Sequence, residues 1–312
     1  MPPLNTSHWI LFGLAAFYFV LRYAHPKGRT VAPAYARFTL LAMAAFLILS
    51  PFIWLVCAAF KDKDVLMQYS FLPPISEWSR ETLNLDNFKT LFAGESAVEG
   101  VVYFWEYVLN SLFLATAGTL ISLFFSSLGG YALAKFDFLG RKYLLAFMAG
   151  SMMFPGMLFL APVYKLIYQL GWMDTYYALL IPGACGVFGM FLFRQAMASV
   201  PESLLESARM DGAGEFRIYY SIAMPLVRPM TGAYCLISFL GSWNNFLGPQ
   251  IYIQSQSKLT LPVVLNQYMG VYTQQYGVFL AGTLLAIIPP AILFLALQRE
   301  FVAGLTSGAV KG

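Results

Sequence analysis

The stretch from Pro201 to Pro229 is polar in an otherwise oily chain, and it gathers Glu206, Arg209, Asp211, Glu215 and Arg217. A loop that only had to return the chain to a bilayer would not need the helical order that these residues encode. Pro201-Glu202 is a helix start, because proline lacks an N–H that the first turn leaves unused and an early carboxylate suits the helix dipole. Leu204, Leu205, Ala208 and Arg209 then recur at helical spacing. Asp211-Gly212 ends that helix, since glycine takes a left-handed cap without steric cost. A second short helix is expected from about Glu215 to Ile222, until Pro225 forbids its continuation. Two short helices with a sharp bend read as a surface built to dock.

A second set is Trp243, Asn244 and Asn245. Adjacent amides at the edge of an apolar run are costly unless they face protein or water, so they are candidates for a solute path. Hydrogen bonding between helices is the rival reading. Other chemistry is missing. No Gly-Lys dipeptide occurs, so there is no Walker A loop, and this chain is not expected to hydrolyse ATP by that route. Only His8 and His25 are present, without metal-ligand spacing, and no catalytic residue is assigned. Cys57, Cys185 and Cys235 read as small apolar packing residues.

The elements that must position these groups are membrane spans. Hydrophobic residues make up 59% of the 312, charged residues 11%, and the mean hydropathy is +0.66. Soluble domains carry about a quarter charged residues. Charge-free intervals run over Phe38–Phe60, Tyr107–Ala134, Tyr143–Tyr164, Thr175–Phe193, Pro229–Ser257 and Leu259–Gln298. Each can hold the ~20 apolar residues that cross a bilayer, the last two with external loop to spare. The expected fold is all-α: a polytopic membrane helix bundle of six core transmembrane helices. Pro155-Gly156 within the third span predicts a kink. Alternating topology puts thirteen of the 19 Lys and Arg on the side of the Glu206 loop and the C-terminus. By the positive-inside bias that side is cytoplasmic, so the basic excess reports topology and not nucleic-acid binding.

Glu206-Ser207-Ala208, then Gly212, then Ile222-Ala223-Met224-Pro225 is similar to the "EAA" motif of importer-type ABC transporter permeases. The motif's second alanine is Ser207 here and its leucine before the proline is Met224. The tail from Gln298 to Gly312 resembles the C-terminal signature of the maltose-permease branch, whose members import sugars, polyols and oligosaccharides. Similarity of pattern runs from about Phe38 to Gly312. The resemblance implies a coupling loop over 201–225, with Glu206, Ser207, Ala208, Asp211, Gly212, Ala213 and Phe216 docking an ATPase subunit. It also implies a second permease subunit, two ATP-binding subunits that carry ATP and Mg, an external solute-binding protein and a carbohydrate or related solute. No cofactor is expected on this chain. In maltose-type transporters the external loop before the last span reaches into the binding protein. Gln250–Tyr276 occupies the matching place here, with Gln254, Ser255, Gln256 and Ser257 at its expected tip, able to compete for sugar hydroxyls.

The family commonly starts at the Phe38 span, so residues 1–34 are a departure. Trp9–Tyr23 reads as an extra out-to-in N-terminal helix or an interfacial one, and the lack of a preceding Lys or Arg argues against a signal peptide. The expected organisation is that segment, then a first core helix and external loop over 35–106, the permease core over 107–298 and a cytoplasmic tail over 299–312. The alternating charges of Lys61–Asp64 read as a solvated helix end. An ABC permease for a non-sugar solute is the alternative. An ion-coupled secondary transporter is weaker, because the spans lack titratable residues.

Overall fold

The computed structural model describes residues 17, 18, 20, 22, 28–98, 100–270 and 275–307. Most of the Trp9–Tyr23 segment, residues 271–274 of the external segment and the end of the tail from 308 therefore lie outside the described residues. The chain forms two compact units, Met1–Asn84 and Leu85–Gly312.

In the first unit α1 (Gly28–Ala59) exposes large apolar side chains such as Phe38, Leu47 and Ile48, the surface that lipid rather than water accepts. Beyond it the chain is closed by a bridge between Lys61 and Leu83 and by the Asn84 N–H donating to Phe60 O at 2.9 Å. Lys61 is not part of a solvated helix end. It is fully buried, and its ammonium donates to the Tyr69 carbonyl. A buried cation needs such an acceptor, and the loop folds back to supply it.

The second unit begins with α2 (Asp86–Phe92) and a short antiparallel hairpin, β1 (Glu95–Ala97) with β2 (Gly100–Val102), paired Glu95 to Val102. Next comes the central helix α3 (Phe104–Lys135), opened by the Glu106 carboxylate accepting the Tyr103 N–H at 2.9 Å. This capping contact fixes where the helix begins. The chain continues through α4 (Arg141–Ser151), α5 (Leu160–Gln169), α6 (Tyr177–Leu180), α7 (Val187–Ala198), α8 (Glu202–Met210) and α9 (Glu215–Ile218). A π-helical turn over Tyr219–Ala223 leads into α10 (Met224–Leu226) and α11 (Arg228–Trp243). The unit ends with α12 (Leu247–Tyr252), α13 (Leu261–Tyr268), α14 (Tyr276–Ala286) and α15 (Ile288–Ser307).

α3 packs on α7 and α11 through a buried stripe of small residues. A Cβ on Gly130 would stand 2.5 Å from Phe193 Cβ and 2.7 Å from the Arg194 backbone nitrogen. One on Gly189 would stand 2.5 Å from Ser126 Oγ. Hydrocarbon gives helices no hydrophobic reason to associate, so close backbone approach and hydroxyl pairs must hold them. Both are present: Ser122 Oγ lies 2.5 Å from Tyr234 OH, and Ser127 Oγ lies 2.7 Å from Tyr219 OH.

The all-α membrane bundle stands, with its spans more broken than charge-free intervals suggest. Among the described residues three helices are long and apolar enough to cross a membrane, Ala32–Ala59, Phe104–Lys135 and Tyr276–Val302. Two bent pairs raise this to five. The Tyr143–Tyr164 interval turns by 94° between Arg141–Ser151 and Gly156–Gln169, at the expected proline. Pro155 has no N–H for the helix ladder and is extended, so the axis cannot continue. Thr175–Phe193 is not one helix either. Pro182, Gly183 and Gly186 separate α6 from α7.

Candidate functional site

The Pro201–Pro229 segment is two helices with a bend, as its residues dictate. α8 ends where Gly212 takes φ +80°, with the Gly212 N–H donating to Arg209 O and the Ala213 N–H to Ala208 O at 2.9 Å. That six-to-one closure satisfies carbonyls a helix end would leave orphaned. The second helix does not stop at Ile222. The π turn widens the coil, moving away the carbonyl that the Pro225 ring would strike, and helix persists to Leu226. The break falls at Val227, where the axis swings by 85° into α11.

One face of this loop is packed. Leu205, Ile218 and Ala223 are fully buried against Phe193 and Met197, with Tyr131 and Tyr219 alongside. Above them runs a chain of charges. The Arg209 guanidinium donates to Glu215 at 2.7 Å and to Glu202 at 2.9 Å, and Lys135 donates to Glu202 at 3.2 Å and to the Val200 carbonyl at 2.7 Å. Tyr131 OH donates to Glu215 at 3.1 Å. Hydrogen bonding from Arg209 lowers the Glu202 pKa against a smaller opposing effect of burial, and Lys135 adds to the lowering. Half-exposed pairs of this kind contribute ~0.2–1 kcal/mol each, against ~1.5–3 kcal/mol for each large buried aliphatic side chain. Packing therefore holds the loop down and the charges set its register.

The other face is open. Glu206, Ser207, Asp211, Gly212 and Phe216 are exposed, Ala213 is half-buried, and Ala208 points inward. Ala208 falls on the helix face shared with Leu205, so it shapes the loop from beneath. Sequence reasoning passed over Met210 and Tyr220, which are 88% and 70% exposed beside Phe216 at 61%. Large apolar side chains on a charged surface outside the apolar spans make this face a candidate for contact with another protein. Their spacing on the two helices was the available signal.

The three path candidates part company. Trp243 is buried and stacked on Phe239, with ring centroids 5.8 Å apart. The Asn244 amide donates back to Leu240 O on its own helix. Asn245 caps the start of α12 by accepting the Gly248 N–H at 3.2 Å, and it also lines a cavity of about 230 Å3 in the bundle.

Gln254–Ser257 is not a projecting tip. Asp174 holds it down: its carboxylate accepts the Gln254 and Ser255 N–H groups at 3.0 and 2.9 Å, the Ser255 hydroxyl, and the Lys258 ammonium at 2.9 Å. Gln256 donates to Tyr107 OH and to Gln267, and the Ser257 carbonyl accepts from Asn110 at 2.8 Å. Gln254 is the exposed member of the four. Burial raises the Asp174 pKa, but the donors from Ser255, Lys258 and Gln254 outweigh it and hold the carboxyl well below its ordinary value. A depressed carboxyl gives stability that is complete above the unfolded pKa and lost as pH falls through the folded one. The latch therefore stays closed from neutral through mildly acid pH. Asp174→Ala is expected to speed amide hydrogen exchange at Gln254 and Ser255 by at least tenfold at pH 7. Unchanged protection would show that the loop is held elsewhere.

The site is thus a packed, ion-stitched elbow between two apolar segments, with one face buried on the bundle and the other exposed. The profile of binding-protein-dependent transport system inner membrane components matches residues 126–306. The arabinooligosaccharides transport system permease protein AraQ of Bacillus subtilis is 36% identical over 86% of this chain and 93% of its own length. The lactose transport system permease protein LacG of Rhizobium radiobacter is 32% identical over 89% of this chain and 97% of its own. A bacterial ABC transporter involved in import of the acidic polysaccharide alginate has a chain that superposes with TM-score 0.72 at 24% identity, covering 86% of this chain and 96% of that one, which shows the fold. This chain belongs to the family of binding-protein-dependent transport system inner membrane components. It is a membrane-embedded, non-enzymatic ABC importer permease subunit.

Proposed function

We propose that this permease forms half of the path for a sugar or oligosaccharide, beside a second permease subunit, and that its 201–225 loop faces the cytoplasm and docks an ATPase subunit. Two ATP-binding subunits carrying ATP and Mg and an external binding protein complete the machine. The observation that carries the reading is the loop itself: one face sealed onto the bundle, the other offering Glu206, Asp211, Met210 and Phe216 to a partner. Thirteen of 19 basic residues on its side support the orientation. The sugar assignment draws on relatives named for arabinooligosaccharides, lactose and galactooligosaccharides. The division into an N-terminal segment 1–34, a first core helix with external loop, a permease core and a cytoplasmic tail from 299 belongs to the same proposal. Closure of the ATP-binding pair would move the loop and switch the bundle between outward- and inward-facing states.

The test is co-expression with the neighbouring transport subunits, followed by sugar uptake and binding-protein-stimulated ATPase assays in proteoliposomes. Glu206→Ala removes a charge-assisted hydrogen bond of about 1.5–3 kcal/mol, so affinity for the ATPase subunit should fall by roughly 10–100-fold. Tight co-purification of Glu206→Ala at wild-type yield, with full uptake, would sink the docking role.

A further inference from the structure

The cavity beside Asn245 lies between α3, the α6–α7 turn, α11 and the start of α13. Its buried end carries Ser111 and Thr260, and its open end carries Gly183, Gly241 and Asn245. No ionisable side chain lines it. Thr260 is 4% exposed, and its hydroxyl has no hydrogen-bond partner, although threonine at a helix start ordinarily caps its own turn. An orphaned buried hydroxyl costs about 1–3 kcal/mol, which a ligand group able to pair with it inside a polar cavity would recover. Around it other groups have capacity to spare. Ser111 Oγ accepts the Leu261 N–H at 2.7 Å, which leaves its own proton to donate. Asn245 uses its carbonyl oxygen on Gly248, which leaves its NH2 to donate.

We infer that this cavity is a hydroxyl-reading subsite that receives one neutral sugar ring during transport, through Thr260, Ser111 and Asn245. The inference rests on the sugar reading above and adds a contact site on this subunit. The chemistry fits: donors and acceptors without charge match a polyol and reject an anion or an ammonium group. The size fits as well. About 230 Å3 corresponds to roughly seven or eight waters at ~30 Å3 each, room for one ring and not for an oligosaccharide. Gly241 and Gly183 leave the mouth open, because a Cβ on either would meet nothing within 4 Å.

Thr260→Val separates binding from folding. Removing an orphaned hydroxyl should leave the melting temperature equal or higher, so lost transport cannot be ascribed to misfolding. Uptake of radiolabelled arabino-, galacto- and malto-oligosaccharides by the reconstituted transporter should fall about 2–10-fold for the transported sugar. Gly241→Val, which adds a side chain at the mouth where a Cβ would meet nothing within 4 Å, should lower it at least tenfold. The matched control is Thr119→Val. Thr119 is also buried with an orphaned hydroxyl but lines an apolar groove and not this cavity, and its loss should leave uptake unchanged. If the wild type imports none of these sugars, the sugar reading itself fails. If the wild type imports one and both Thr260→Val and Gly241→Val match it, the cavity holds only water and the subsite is overturned. An equal loss in Thr119→Val would overturn it too, by showing that the effect is not specific to the cavity.

Discussion

Gly130→Val is expected to leave little folded protein in the membrane. The added Cβ falls 2.5 Å from Phe193 Cβ, 2.7 Å from the Arg194 nitrogen and 2.9 Å from the Phe193 carbonyl carbon, before the two methyl groups are placed. Overpacking costs about 1–3 kcal/mol where side chains can shift, and here two of the three obstacles are backbone. α3 and α7 would have to separate, which also pulls the Ser126 hydroxyl away from the Gly186 carbonyl at the start of α7. Size-exclusion profile and melting temperature in detergent are the measurements, with Gly150→Val as control because nothing lies within 4 Å of its Cβ. A Gly130→Val protein that melts with the wild type would mean the helix crossing is looser than this geometry requires.

Gly212→Val should do the opposite, sparing the fold and stopping transport. Beyond its chain neighbours no atom lies within 4 Å of where a Cβ would stand, so the penalty is conformational. At φ +80° a side-chain-bearing residue costs about 1–2 kcal/mol, and a β-branched one more. The chain escapes by opening the cap, which releases the Ala213-to-Ala208 bond and turns the exposed face of α8 away from the orientation that the proposed docking requires. ATP-driven uptake should drop at least tenfold at normal expression. Gly212→Asn should retain most activity, since asparagine tolerates the left-handed region. Equal uptake by the valine and asparagine variants would refute the idea that the cap orients a coupling surface.

The cap was legible because a left-handed turn leaves a residue-level mark, and Asp211-Gly212 carries it. Helix start and helical spacing in α8 were equally plain. What escaped lies in long-range geometry. Pro225 alone forbids an α-helix, but the sequence does not say that a π turn will make room for it. The Thr175–Phe193 interval qualified as a span by lacking charge, a criterion blind to the Pro182, Gly183 and Gly186 breaks. Asp174 and Ser255 are eighty-one positions apart, and nothing local to either announces that one carboxylate will bind two amides, a hydroxyl and an ammonium group. Trp243 closes α11, Asn244 caps it and Asn245 lies past its end, so three consecutive residues have three different surroundings. Of the three, only Asn245 reaches the cavity.

The stitching of the elbow has a mechanical consequence. Arg209 ties α8 to α9, while Lys135 and Tyr131 tie both to the last turn of α3, and α11 leaves the same corner at 85°. A push on the outer face cannot be absorbed by one span bending alone. The apolar packing beneath the corner carries the load and the ion pairs keep its register, so on the proposed docking reading a displacement of the loop would reach α3 and α11 together.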